Sequence, residues 1–318
     1  MEIEKEENKN QIKTFYSRDW ADYELLDTGD HQKLERFGKY IFARPYEDAF
    51  WKKTLSLEEW NKADGIFFSA KNTGKKGKLS NLVSKSETNK SGWKMKNKLD
   101  PKWPMSYKDI KFSVAPTPFR HLGFFPEQAS HWDFIEEKIK NSARKIRFLN
   151  LFGYTGIASL FALRAGAEVT HLDASNQTIS WLKENQELSG MGALPMRVIL
   201  DDAMKFVERE TKRGHKYDAI VLDPPKFGRG PKGEVWKIEE NLPKLLSQIR
   251  KVLSDNPLFV ILTSYATESS SLSLGHVLEE MMKDFSGNID IGELCILEKS
   301  NNRIISLANT AIWSSIEK

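Results

Sequence analysis

Four short segments in the second half of the sequence carry acids or glycines at regular distances. Asn150-Leu151-Phe152-Gly153-Tyr154-Thr155-Gly156 offers two glycines, which allow a tight turn and the close approach of a ligand without interference from a Cβ. A helix after such a turn presents unpaired amides and a positive dipole end to a carboxylate or phosphate. Asp173, followed by Ala174 and Ser175, stands twenty residues beyond Gly153, the spacing at which an acid after a glycine turn binds ribose hydroxyls. Next come Asp201-Asp202-Ala203 and Asp223-Pro224-Pro225-Lys226-Phe227. A lone glycine turn is weak evidence, whereas four such segments in order are strong evidence.

The elements between them must bring these residues together. Apolar periodicity predicts helices over His131–Ser142, Ile157–Ala165, Gln177–Ser189, Ala203–Arg213, Val235–Leu253 and Leu272–Phe285. Strands are predicted at Ile146–Leu151, Glu168–Leu172, Met196–Leu200, Tyr217–Leu222 and Leu258–Thr263, and two closing runs, Ile289–Leu297 and Ile304–Trp313, read as a hairpin. Alternation of this kind implies βαβ crossovers, so the fold class is α/β: a Rossmann-like, doubly wound, mostly parallel sheet with an antiparallel edge hairpin. Ligands of open α/β sheets bind at the carboxyl ends of the strands, where all four segments fall. Upstream, Glu24–Leu26, Leu34–Ala43, Gly65–Ala70, Gly92–Lys98 and Asp109–Val114 read as short strands, with a short helix within Ala49–Lys62. The expected organisation is a loose tail over 1–18, a small β-rich α+β domain over 19–118 and the ligand-binding domain over 119–318.

Two cofactors compete for the strand ends. A dinucleotide expects G-x-G-x-x-G, because its pyrophosphate needs the middle glycine, and that place is held by Thr155. S-adenosylmethionine (SAM) has no phosphate; it needs a turn for its zwitterionic tail, an acid for its ribose and a polar edge for its adenine. The residues fit SAM better.

The motifs FLNLFGYTG, HLDAS, ILDDA and IVLDPPKFG, with PEQ at Pro126-Glu127-Gln128, resemble those of class I SAM-dependent methyltransferases, and more narrowly the bacterial large-subunit ribosomal-RNA methyltransferase group. The resemblance covers most of residues 20–318. It implies that Gln128 lies near the methionine end of SAM and that Asn150, Phe152, Gly153, Tyr154, Thr155 and Gly156 line the methionine and ribose. Asp173, with Ala174 and Ser175, would hold the ribose hydroxyls. Asp202 with Ala203, or Asp201 in its place, would meet the adenine edge. Asp223, Pro224, Pro225 and Phe227 would form the floor where methyl group and acceptor meet. The PUA-type module that often opens such chains is missing, which leaves RNA contact to the small domain.

Cytosine C5 needs a cysteine thiolate added to its ring before it attacks SAM. The chain has one cysteine, Cys295, in the apolar run Leu294–Leu297 and not after the fourth or fifth strand. It reads as a core residue, so the expected acceptor is a nitrogen or oxygen. An exocyclic amine would use Asp223 and the Pro224 carbonyl, although enzymes of that type place an aromatic directly after Pro-Pro, where this chain has Lys226. Lys226 and Arg229 read either as phosphate contacts or as a solvated loop. His121 and His131 read as packed rather than catalytic, and Trp181, Trp236 and Trp313 as core.

The chain has 318 residues with a formal charge of +4 and a mean hydropathy of −0.51. Its positive excess sits in one window: residues 71–120 carry 13 Lys/Arg against 3 Asp/Glu, which can neutralise phosphates or serve only as a solvated face. Trp93 and Trp103 could stack on bases there or pack in the domain. A lone cysteine excludes an internal disulfide or a multi-cysteine metal site. No apolar run approaches a membrane span and no secretory leader is visible, so a cytoplasmic protein is expected. On these grounds the sequence predicts an RNA methyltransferase. A methyltransferase of a small molecule or protein is the alternative, and a non-catalytic RNA-binding scaffold is disfavoured by the intact strand-end acids.

Overall fold

A computed structural model describes residues 11–18, 20–68, 91–265 and 270–316. The chain forms two compact units: residues 11–16, Glu127–Cys295 and 306–316 make the larger, and Ser17–Pro126 with Ile296–Ile305 the smaller. This division differs from the expected one at three places. Residues 119–126 and the tip of the closing hairpin belong to the small unit, and the expected tail contains a strand of the large one, β1 (Ile12–Phe15).

The small unit is built from β2 (Tyr23–Gly29), β3 (Gln32–Phe37), β4 (Tyr40–Pro45), the single-turn helix α1 (Leu57–Trp60), β5 (Gly65–Phe68), β6 (Gly92–Met95), β7 (Trp103–Tyr107) and β8 (Ile110–Val114). The first five strands form a sheet in sequence order, and β7 and β8 form a separate pair. Gly38, at φ +62°, turns the chain and splits the predicted run Leu34–Ala43 into two strands. Only α1 of the expected helix within Ala49–Lys62 forms, because the preceding loop is held elsewhere: buried Asp27 accepts from the Leu55 amide at 2.9 Å and from Trp60 Nε1 at 2.8 Å. The hairpin tip joins this unit through Glu298, which accepts from the Thr28 amide at 2.5 Å, and through the Lys299 amide, which donates to the Leu25 carbonyl at 2.9 Å.

The large unit adds α2 (Ala129–Asn141), β9 (Arg147–Leu151), α3 (Ile157–Arg164), β10 (Glu168–Asp173), α4 (Asn176–Leu188), β11 (Arg197–Leu200), α5 (Ala203–Arg213), β12 (Ala219–Leu222), β13 (Phe227–Arg229), β14 (Val235–Lys237), α6 (Ile238–Val252), β15 (Phe259–Ser264), α7 (Ser271–Met282), β16 (Gly287–Leu297) and β17 (Ile304–Ser315). Its sheet runs β1-β16-β17-β15-β12-β9-β10-β11, with β9, β10, β11, β12 and β15 parallel and β17 antiparallel to β15. The α/β fold is as expected, but β16 and β17 are not the edge. Strand β1 pairs in parallel with β16, and Gly292 makes room for it, since a Cβ there would lie 2.0 Å from the Lys13 carbonyl oxygen. The predicted helix Val235–Leu253 starts three residues late, because Val235–Lys237 pairs with Phe227–Arg229 as a two-stranded hairpin. Strand β9 has β10 on one side and β12 on the other. The strand order therefore reverses at β9, and the crevice beyond that point is where open α/β sheets bind ligands. Leu222, Leu245, Leu262 and Phe206 are fully buried in the large unit's core, and Leu149, Leu151 and Ile220 pack with them.

Candidate active site

Register brings the strand ends to one edge. Leu151 lies opposite Leu172 and Leu222, and Asp173 opposite Leu200, so the residues after Leu151, Leu172, Leu200 and Leu222 face the same crevice. Phe152, Tyr154 and Gly156 adopt left-handed φ values of 58°, 52° and 85°, which folds the turn tightly onto the start of α3. Gly156 is the N-cap of α3 and no side chain caps it. The helix thus presents uncapped first-turn amides, a cradle for a carboxylate.

Gly156 takes the left-handed conformation expected of a tight turn, and both glycines are also closely enclosed by neighbouring side chains. A Cβ on Gly153 would meet His171 Cε1 at 2.3 Å, and one on Gly156 would meet Leu182 Cδ1 at 2.0 Å. Crowding alone excludes a Cβ at Gly153, and at Gly156 it adds to the left-handed backbone. His171 is itself fixed, with Nδ1 2.9 Å from Ser159 Oγ, which also accepts from Asn150 Nδ2 at 2.9 Å. Asn150, expected to line the cofactor, is buried and ties β9 to α3 through Ser159. The Thr155 carbonyl accepts from Asn185 Nδ2 at 2.9 Å. Phe152 packs on Trp236, with ring centroids 5.1 Å apart.

Asp173 is half-buried and ties two loops together. Its Oδ2 accepts from the Tyr154 amide at 2.9 Å, and its Oδ1 from the Ser175 amide at 2.9 Å and Thr178 Oγ1 at 2.7 Å. Burial raises its pKa against these donors. Ser175, not Asp173, caps α4, accepting from the Thr178 amide. Ala174 lies between them. Asp201 is engaged by Arg209 and accepts from the Asp202 amide at 2.8 Å. Asp202 caps α5 through Oδ1, at 3.0 Å from the Lys205 amide, and its Oδ2 makes no hydrogen bond among the described residues. Of the two, Asp202 is the one with a lone carboxylate oxygen to offer, beside Ala203 at the first turn of α5.

At the end of β12, Asp223 accepts from Gln128 Nε2 at 3.2 Å, and the same nitrogen lies 3.0 Å from the Tyr265 hydroxyl. Gln128 Oε1 is 2.9 Å from His131 Nδ1. An amide oxygen only accepts, so Nδ1 carries the proton, and Nε2 faces Thr310 Oγ1 at 3.1 Å. His131 is buried, and burial alone pushes its pKa down to about 3; both ring nitrogens are spoken for, as expected of a packed histidine. His121 is likewise held neutral, at about 3, by burial and by Arg44 and Arg120. Burial, reinforced by Glu127, raises the Asp223 pKa well above the ordinary carboxylate range. Tyr265 was not among the expected site residues, although it directly follows β15 and reading every strand end for polar groups would have found it. The Pro225 carbonyl accepts from Trp236 Nε1 at 2.7 Å, whereas the Pro224 carbonyl accepts nothing among the described residues. Phe227 is 56% exposed.

Trp103 is buried with Nε1 on the Phe37 carbonyl, and Trp93 is held by the Thr117 and Phe119 carbonyls. Both pack within the small unit; Trp103 is too deeply buried to stack on a base, and Trp93 is half-buried. Residues 71–90 of the basic window lie outside the described residues.

A family model described as conserved hypothetical protein 95 matches residues 130–291. The crystal structure of a SAM-dependent methyltransferase from Agrobacterium tumefaciens is similar over 96% of this chain and 94% of that one, with 38% identity and a TM-score of 0.87. Ribosomal RNA large subunit methyltransferase K of Neisseria meningitidis is 26% identical over 61% of this chain and 52% of its own length. The K/L enzyme of Shewanella frigidimarina is 32% identical over 46% of this chain and 20% of its own length. The chain thus spans about half or less of the curated relatives it matches. A parallel sheet that reverses at a glycine turn, with an acid after each of the next three strands, is the architecture of a SAM-dependent methyltransferase. The chain belongs to that class, and to the family described as conserved hypothetical protein 95.

Proposed function

We propose that this protein transfers a methyl group from SAM to a nitrogen or oxygen of RNA, ribosomal RNA in the first place, without a cysteine nucleophile. The uncapped start of α3, the Asp173 carboxylate and the lone Oδ2 of Asp202 together suit the amino-acid, ribose and adenine parts of that cofactor. Its sulfonium supplies the methyl group. The chain's own task is to hold an acceptor in line with it, and alignment of this kind accounts for about 7–11 kcal/mol of a barrier.

The observation that carries the choice of acceptor is the pairing of Gln128 with Asp223. A carboxylate whose pKa is raised by burial and by Glu127 is a stronger base than one in water. It can accept the hydrogen bond, and then the proton, of an N–H or O–H acceptor, with the Pro224 carbonyl as a second acceptor. Cys295 supports the same reading: it is buried in β16 and its thiol is pushed up to about 12, far from the thiolate that C5 chemistry requires. RNA as the substrate class is favoured by the names of the relatives and by the charge of residues 91–120, which hold 7 Lys/Arg against 2 Asp.

The test is incubation with methyl-labelled SAM and total RNA from cells lacking the protein, followed by nucleoside analysis. Label in an N- or O-methylated ribonucleoside is expected. Label confined to protein or small molecules, or found in 5-methylcytidine, would overturn the proposal.

A further inference from the structure

We infer that the β13–β14 hairpin is the clamp for the acceptor strand, gripping the phosphates of single-stranded RNA with Lys226, Arg229 and Lys232 and stacking one base on Phe227. The inference rests on the reading above that the acceptor is RNA, and it adds where the strand is held.

The hairpin starts directly after Asp223-Pro224-Pro225. Its register pairs Phe227 with Lys237, Gly228 with Trp236 and Arg229 with Val235. Residues directly opposite share a face, and faces alternate along a strand. Gly228 and Trp236 therefore form one side, and Phe227, Arg229, Val235 and Lys237 the other. Trp236 is buried, donates to the Pro225 carbonyl at 2.7 Å and packs on Phe152 of the glycine turn. The hairpin is thus pinned both to the floor of the crevice and to the turn expected to hold the cofactor. Its opposite face is left uncovered, with Phe227 56% and Val235 50% exposed. A rigid support under an exposed aromatic ring is what a stacking platform requires.

Charge identifies the occupant. Lys226, Arg229 and Lys232 are all exposed, and none of their side chains has an ion-pair or hydrogen-bond partner among the described residues. Glu234, the single acid between residues 226 and 237, is already engaged by Lys205 and by the Lys232 amide. Three unpaired cations around an exposed aromatic fit a polyanion with π-faces better than an apolar protein surface, which would leave the cations desolvated.

The test uses the full chain and a fluorescein-labelled single-stranded RNA of about twelve nucleotides, within the range bound by such platforms. Binding is titrated across salt concentrations, and methylation of ribosomal RNA is measured in parallel. In Lys226→Gln/Arg229→Gln/Lys232→Gln, the slope of log affinity against log salt is expected to fall by about 2, at ~0.7 for each phosphate lost, with unchanged SAM affinity as the control for folding. Phe227→Leu, which keeps the apolar bulk, is expected to weaken binding about tenfold. A wild-type protein that methylates ribosomal RNA while the triple variant keeps its affinity and slope would overturn the clamp and leave the RNA reading standing. A wild-type protein that labels no RNA would overturn the reading itself.

Discussion

Gln128 donates through Nε2 to Asp223 Oδ2 at 3.2 Å, from the turn before α2 to the end of β12. The bond supplies a donor to a carboxylate that burial and Glu127 otherwise disfavour in its charged form. Its removal has a definite sign. Gln128→Leu raises the Asp223 pKa further, and because the ionised form is the base, activity is lost as pH falls through that pKa. The acid limb of the kcat profile is expected to move to higher pH, with about a tenfold loss of kcat at neutral pH. A profile that keeps its position would remove Asp223 from the role of base.

Gly153 and His171 are in steric competition, so Gly153→Ala forces a Cβ toward the imidazole. We expect about 1–3 kcal/mol of destabilisation in thermal unfolding, together with weaker SAM binding, since the turn must shift. An alanine variant with unchanged melting and unchanged affinity would show that His171 yields freely.

Asp173→Asn keeps the size of the side chain but exchanges one acceptor oxygen for a donor beside the Tyr154 amide or the Ser175 amide. Calorimetric titration with SAM should show at least a tenfold loss of affinity. Equal affinity would count against the ribose contact.

Cys295→Ser is expected to retain kcat within about twofold, because a thiol held at about 12 supplies no thiolate near neutral pH. Loss of turnover with an intact fold would reinstate cysteine chemistry.

In the small unit, Arg44 Nη2 and Nε donate to Glu35 at 2.6 and 2.7 Å, and Tyr23 donates at 2.9 Å. Glu35 is wholly buried. Burial works against its charge, but Arg44, Lys33 and Tyr23 outweigh it and lower the pKa from 4.5 to about 2. The stabilisation, about 3 kcal/mol, is full above pH 4.5 and is lost as pH falls toward 2. Acid titration of the wild type should show this step, and Glu35→Gln should be destabilised at neutral pH and lack it.

The parallel core was legible because β9, β12 and β15 are mostly apolar runs, and each of them, like β10, ends in a polar or glycine-bearing turn. What escaped has particular causes. Strand β1 is four residues long with only Phe15 partly covered, so no periodicity marks it. Val235-Trp236-Lys237 runs into Ile238 without a breaker, which makes hairpin and helix look continuous. Asn150 sits at a strand end but its amide points to Ser159, and sequence position does not reveal direction. Which strand-end acid is free was equally hidden, since Arg209 claims Asp201 from a full two turns along α5.

Glu298 and Thr28 meet across 270 residues, because the tip of the closing hairpin is part of the small unit. During synthesis, residues 17–126 therefore lack one of their own structural pieces until Glu298 and its neighbours have left the ribosome. A fragment spanning residues 17–126 would lack the hairpin tip. The small unit should mature after the parallel strands β9, β10, β11, β12 and β15 are assembled, although β2–β8 are made before them.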